Sequence, residues 1–359
     1  MKCTISVWEG TILNLKRWTA AVLCAALGLG LSACTLKTPA NVMTVDGVQV
    51  PAGVYLMYQL NAYTEAESLV EDGATVQDGQ IEGQDAVDWV HEKTVEDLRR
   101  WVWIDREFEA QGLKLEGDEL TQAQSQAASH YEASADWYAD NGIGAASYET
   151  FYLTETKYQM LYEAWAETAD EISLEDAEAY MDEHYVNISS LVLPVSDDEG
   201  NQATDEARNQ IDTYARELTD ALNAGGTLSE LAEETVKKAC EAVGRTYDEE
   251  STLSSLMMTG FASDDSNGYF SEEVVQALRD QDVGYAMLQT ELSAPVIYQR
   301  VANYADDEEF ESMYYVQIEN LMKQEQYQQL ATEGSSGYAV EEDASAVKTY
   351  AVKNIKEME

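Results

Sequence analysis

Residues 186–194 read Val-Asn-Ile-Ser-Ser-Leu-Val-Leu-Pro, a β-rich run that follows a long stretch of helical pattern. Upstream, from Asp85, apolar residues recur at helical spacing. Val90, Trp101, Ile104 and Phe108 share one stripe, and Gly112 ends it. A helix opening at Gly117-Asp118-Glu119-Leu120 runs toward Trp137, and Asn141-Gly142-Ile143-Gly144 breaks it. Another runs from Ser147 to Trp165. Ser173-Leu-Glu-Asp176 is a capping pattern that starts a helix to His184.

Downstream of the run, helices and strands alternate. Ser196 to Gln202 is a polar loop. Thr204 to Ala224 is amphipathic, with Ala207, Ile211, Leu218 and Leu222 inward. Gly225-Gly226 ends that helix, and Leu228-Ser-Glu-Leu-Ala232 begins a short one. Gly268-Tyr-Phe270 reads as a strand entry, Glu272 to Leu278 as a helix, and Ala294 to Val301 as a closing strand. A long helix returns from Asp306 to Thr332, a Gly/Ser break covers 333–337, and a short strand begins at Tyr338. Near the front, alternating apolar residues flank Asp46-Gly47 between Val42 and Pro51, a hairpin signal. Val54 to Leu69 is a first helix and 71–85 a loop. The expected fold class is α+β: a helical domain, 42–184 plus 305–359, interrupted by an α+β domain at 185–304.

The chain has 359 residues, room for two folding units. Its 7 Trp, 22 Tyr and 5 Phe can build cores. Against 68 Asp and Glu stand 21 Lys and Arg, a formal charge of −47. That field repels phosphate backbones and excludes nucleic acid as a partner. It equally excludes a polybasic hold on anionic lipid.

The first 33 residues read as an address. Lys2, Lys16 and Arg17 precede an apolar, small-residue run from Trp18 to Leu31, too short and too Gly/Ala-rich for a comfortable membrane span. It ends in Leu31-Ser32-Ala33-Cys34, which looks like a bacterial lipobox. The expectation is a signal peptide, a lipidated Cys34 carrying two acyl chains on its thioether, a tether through 41, and an extracytoplasmic face of the cell membrane. Cys240 would then be the one cysteine left without a modification, in a helical context that suits a buried small apolar residue. His91, His130 and His184 are scattered, so neither a zinc site nor any other metal or cofactor is expected. Asp197 to Asn201 and Asp264 to Asn267 invite a calcium reading but fit no EF-hand spacing.

The order of elements resembles the parvulin-type foldase lipoproteins (PrsA-like) and the related chaperone SurA. Val42 to Gly47 looks like the family's opening strand and turn. Leu115 to Leu120 and Leu174 to Tyr180 look like its helix starts. Asn223 to Ala232, with Glu-Leu-Ala, is similar to the parvulin helix–turn, and Gly268-Tyr-Phe-Ser271 to its Gly-aromatic-Phe-Ser strand. The resemblance implies two imidazoles in a hydrogen-bond network beneath a proline pocket. Ser190 occupies the first of those places, and Val296-Ile-Tyr-Gln-Arg300 covers the second. Asp248 matches the family's Asp/Cys position better than Cys240 does.

Prolyl isomerisation needs no nucleophile, metal or cofactor. An enzyme lowers the roughly 18–20 kcal/mol barrier to rotation about the amide by favouring its twisted form. The candidate groove is Ser190, Asp248, Tyr269 and Phe270, with no confident catalytic residue. The expected function is a membrane-anchored lipoprotein that assists folding of secreted proteins, its isomerase domain lacking full activity. Its partners would be unfolded or newly secreted polypeptides, basic ones favoured, and the bilayer through Cys34. The aromatics of 89–165 would offer those chains an apolar cleft, or else form a helical core. The alternative is an active peptidyl-prolyl isomerase. A third reading, a solute-binding lipoprotein, lacks the paired βαβ lobes it would need.

Overall fold

The computed structural model describes residues 40–71, 73–248, 251–263 and 269–357. Cys34 and the whole leader, and the acidic stretch 264–267, lie outside the described residues. The chain combines helix and sheet in two compact units. One ends at Leu161 and resumes at Ala331; the other is Tyr162–Leu330. Both limits lie outside the insert expected at 185–304.

In the first unit, the predicted hairpin forms: β1 (Asn41–Val45) pairs antiparallel with β2 (Val48–Pro51). Asp46 and Gly47 hold the turn at φ 45° and 84°, a conformation that suits Asp and Gly. On its other edge β1 pairs antiparallel with β9 (Val340–Glu342). The helices of this unit are α1 (Ala52–Leu69), α2 (Ala86–Ala110), α3 (Gly117–Ala133), α4 (Ala135–Asp140), most of α5 (Ala145–Ala166) and α13 (Ala344–Thr349). Asp85 caps α2 by accepting from the amides of Val87 and Asp88. Three buried clusters contribute to its core, one of them around Leu60, Ile143 and Tyr148. Val42, Val50, Tyr55, Leu98 and Ala346 meet in another. Ala62, Ala66, Ile81, Val90 and Val352 meet in the third. The segment read as a loop at 71–85 contains a two-residue hairpin, β3 (Gln80–Ile81) with β4 (Gln84–Asp85). Two residues per strand are too few for a periodic signal.

In the second unit, β5 (Tyr185–Val192) lies between β6 (Met257–Ser263) and β8 (Val296–Val301), and β7 (Ala286–Gln289) extends β8, so the order is β6-β5-β8-β7. All three pairings are antiparallel. The central strands β5 and β8 are the two read from sequence; the edge strands β6 and β7 were missed. An edge strand is partly solvated, so its apolar alternation is weak. Tyr269 and Phe270 lie in a turn, not in a strand entry.

One sheet face packs on α7 (Asp205–Asn223) and α8 (Leu228–Val243) through Leu191, Ile297, Ile211, Leu222, Val236 and Cys240. The helix at Leu228 is longer than its short apolar motif suggested and ends at Gly244, φ 74°. The free Cys240 is buried, and burial raises its thiol pKa. The opposite face takes α10 (Glu272–Arg279), with Val274, Val275 and Leu278 against Val186 and Ile188.

Ile172, Ala177 and Met181, around α6 (Leu174–His184), pack on Phe310 of α11 (Asp307–Met313) and Ile318 of α12 (Tyr315–Ser336). Phe261 of β6 joins this cluster. That shared core draws 162–184 and 305–330 in with the sheet. The Gly/Ser break expected at 333–337 is helical as far as Ser336. A Cβ at Gly334 would lie 2.4 Å from the Trp103 Nε1, so this glycine permits a close helix approach.

Two predictions follow from burial. Gln299 is 1% exposed; its Nε2 donates to the carbonyls of Gly226 (2.9 Å) and Gly284 (3.1 Å), and its Oε1 accepts from the Leu228 amide (2.9 Å). Gln299→Leu strands three backbone groups and should cost about 2–4 kcal/mol in urea unfolding of the full chain. Asp97, in the first unit, is 2% exposed beside Arg100 (2.7 Å) and Lys93 (3.7 Å). Desolvation nevertheless raises its pKa; the two cations only partly oppose that. A folded pKa above the unfolded value of about 3.9 means stability falls as pH rises through the window between them. Asp97→Asn should therefore flatten the thermal-midpoint profile above pH 4. An unchanged slope would contradict this.

Candidate functional site

The site is built by strand register. In an antiparallel sheet, directly paired residues share a face. Ser190 pairs with Met258 of β6 on one side and Tyr298 of β8 on the other, and Tyr298 pairs with Met287 of β7. Met258, Ser190, Tyr298 and Met287 thus form one row across all four strands. The next row is Val192, Val296 and Gln289. Beyond the row in the other direction are Gly260, Ile188 and Arg300.

Phe270 seals that side. Its ring meets Tyr298 edge-on at 6.3 Å, and Cε2 lies 3.8 Å from where a Cβ on Gly260 would sit. The glycine leaves room for the ring. Helix α10 covers Val186 and Ile188, while Met258 and Val192 are exposed. The uncovered part of the face is therefore apolar and sulfur-rich, floored by Ser190 and walled by Tyr298 and Phe270.

Ser190 is buried, and its hydroxyl donates to the Met258 carbonyl at 3.4 Å. A hydroxyl held by a backbone carbonyl has no base to activate it, and it cannot bridge two partners as an imidazole does. Ser189 points to the other face, within 2.7 Å of the Thr259 hydroxyl. Burial pushes the Tyr298 phenol pKa up, so this hydroxyl stays protonated and able to donate near neutrality.

The four sequence candidates separate. Ser190 and Phe270 flank Tyr298 on one face. Tyr269 is 84% exposed and turns away from its buried neighbour. Asp248 is exposed, and its Oδ1 accepts from the Ser251 amide (2.9 Å) and hydroxyl (2.7 Å) in front of α9 (Thr252–Leu256). Its carboxylate organises a turn. Sequence reasoning missed Tyr298, Met258 and Met287 as site residues. Tyr298 was visible only as one residue in a stretch lacking a histidine, and the two methionines lie on strands that were not predicted.

The Asp197–Asn201 loop is closed by its own bonds. Asp197 accepts from the Glu199 and Asn201 amides and the Asn201 side chain, bonds that hold its pKa down. Asp198 accepts from the Thr246 amide and hydroxyl. Among the described residues no group of three His, Cys, Asp or Glu side chains is placed to hold a metal ion.

In the first unit, the aromatics are largely structural. Tyr58 meets Phe151 edge-on at 5.2 Å, Tyr148 meets Tyr138 at 4.9 Å, and Tyr131 stacks on Tyr138 at 5.5 Å. Trp101 and Trp103 are buried. A cavity of about 200 Å³ remains between α1, the α4–α5 turn and the C-terminal segment, lined by Leu56, Gln59, Leu60, Asn141, Tyr350 and Ile355 among others. No helix among the described residues is long and apolar enough to cross a membrane.

No family model matches the chain, and no curated protein does. Solved structures of foldase chaperones match the chain at low superposition. A SurA-like chaperone of Campylobacter jejuni matches at 11% identity over 85% of this chain and 99% of that one, with a TM-score of 0.28. The foldase PrsA of Streptococcus pneumoniae matches at 11% identity over 79% and 90%, with a TM-score of 0.27. PrsA of Lactococcus lactis matches at 12% over 88% and 99%, with a TM-score of 0.29. At such identity and superposition the likeness carries no functional weight.

Proposed function

We propose that this chain is an extracytoplasmic folding helper that holds unfolded polypeptides and whose mixed unit is, at most, a weak prolyl isomerase. The observation that carries the reading is the Met258–Ser190–Tyr298–Met287 row. It is an open apolar strip on a sheet, with neither imidazole nor carboxylate in the row. Such a strip receives apolar side chains through flexible thioethers. A twisted amide gains from it only what the Tyr298 hydroxyl can donate. In this reading 185–304 is the parvulin-like part and its flanks the chaperone part. Cys34 anchors the protein to the outer face of the membrane through lipid. The charge of −47 keeps the body soluble and draws basic clients.

A second reading has a specific observation behind it. Tyr298 and Phe270 meet beside a hydroxyl floor, a geometry that could seat a proline ring. An isomerase-active protein would use the Tyr298 phenol as its donor.

One pair of assays separates the readings. Light scattering of a denatured basic and a denatured acidic client is followed with and without the chain lacking residues 1–34, beside a proline-peptide isomerisation assay. Protection of the basic client should exceed that of the acidic one. The difference should shrink with salt, because the screening length is about 8 Å at physiological ionic strength. Met258→Asp should reduce protection several-fold. Strong isomerisation lost in Tyr298→Phe would favour the enzyme reading instead, and protection of neither client at any salt would remove the first.

A further inference from the structure

The C-terminal segment is held by its backbone. The Asn141 side chain accepts from the Lys356 amide at 2.8 Å and donates to the Lys356 carbonyl at 3.0 Å. Trp137 Nε1 donates to that same carbonyl at 2.7 Å. At the other end of the segment, Gln59 Nε2 donates to the Tyr350 carbonyl at 3.0 Å. One side-chain amide thus pairs with both backbone groups of one residue, as a neighbouring strand would, and a second reads a carbonyl six residues earlier. Along the segment Val352 is fully buried and Ala351 and Ile355 are half-buried; Lys353, Asn354, Lys356 and Glu357 are exposed, with the Glu357 carboxylate accepting from the Tyr63 hydroxyl at 3.0 Å. Ile355 is extended, at φ −64° and ψ 136°.

Reading a backbone while leaving side chains in solvent is how a site accepts many sequences. The groove is also underfilled. The cavity of about 200 Å³ runs beneath the segment, and Gln59 lines it. Gln59 is 1% exposed, and its buried Oε1 has no hydrogen-bond partner among the described residues. A buried acceptor left unpaired costs free energy that an incoming N–H would recover.

We propose that the Asn141–Trp137 clamp, with the cavity lined by Gln59 beside it, is a peptide-binding site for an extended polypeptide segment bearing an aliphatic residue followed by a basic one, and that residues 354–357 occupy it in cis as a stand-in. The aliphatic preference comes from Ile355, which packs between the Ala62–Val90 cluster and the cluster around Leu60 and Tyr148. The basic preference comes from Asp140, whose Oδ2 is 3.3 Å from Lys356 Nζ, within a chain of net charge −47. This deepens the reading of the protein as a holder of unfolded chains and rests on it. A tethered occupant competes at an effective concentration of order millimolar, so the resting affinity for an added peptide is low.

The test uses full-length protein and a fluorescein-labelled peptide, Ala-Val-Lys-Asn-Ile-Lys-Glu, followed by fluorescence anisotropy. Ile355→Asp ejects the cis segment without touching the clamp, and should tighten peptide binding at least about tenfold over wild type. Adding Asn141→Ala should abolish that gain. Lys356→Pro removes one backbone donor and should produce a smaller gain; it carries the test if circular dichroism shows that Ile355→Asp is unfolded. A release variant that binds no tighter than wild type, or a gain that survives Asn141→Ala, overturns the proposal. Client protection in light scattering without any peptide gain would keep the general reading and remove this site. Peptide gain without protection would keep the site and remove the general reading.

Discussion

The pairing of β1 with β9 is the constraint on which the first unit depends. Asn41–Val45 has β2 on one edge and residues 340–342 on the other, so a strand from the start of the fold is completed by one from its end. Bonds beyond the strands extend the pairing: Asp46 donates its amide to the Ala339 carbonyl (2.7 Å), and Asp343 donates to that of Val42 (3.0 Å). Arg106 pairs with Asp46 and lies 4.9 Å over the Tyr338 ring. Two strands alone would be marginal in water, and the third makes the small sheet sustainable. Everything from 162 to 330 must therefore leave and re-enter a unit that is otherwise closed. The loop-closure cost of so long an excursion grows only slowly with length.

Within the second unit the polar interior is arranged to hold register. Gln299 fastens the start of α8 and the approach to β7 to the central strand. Asn223 exchanges two bonds with the backbone of Ala286, Nδ2 to the carbonyl at 3.0 Å and Oδ1 from the amide at 2.8 Å. Because side chains alternate faces, a slip of one residue would bury Arg300 where Gln299 now sits. Fixed register is what brings Ser190, Tyr298 and the two methionines into one row.

The two units present different kinds of surface. The sheet row offers side-chain contact with thioethers and a phenol. The clamp around Lys356 offers amide pairing with any backbone. A holder of unfolded chains needs both properties, since such chains share a backbone and differ in where their apolar residues fall. In the proposed function, the charge of −47 adds a long-range bias that neither site supplies.

The sequence by itself determined the local grammar. Asp46-Gly47 set the hairpin, Ser173 and Asp306 capped their helices, and 186–194 announced the central strand, because turn chemistry, capping and burial on both faces leave dense signals within a few residues. The helical stripe through Val90, Trp101 and Ile104 was equally readable, and all three are buried. Tertiary structure alone decided the rest. Edge strands β6 and β7 carry weak alternation because solvent covers part of each, and they supply both methionines of the row. Gly334 read as a helix break until Trp103 was seen to need its bare Cα. Asp248 and Tyr269 looked like members of a groove by position in the chain, yet one caps a turn and the other faces water. Asn141 and Lys356 lie 215 residues apart, and no local pattern connects an amide side chain to a distant backbone. Pairing across such separations is fixed by which strands and helices close the core, a property of the whole chain and not of any window of it.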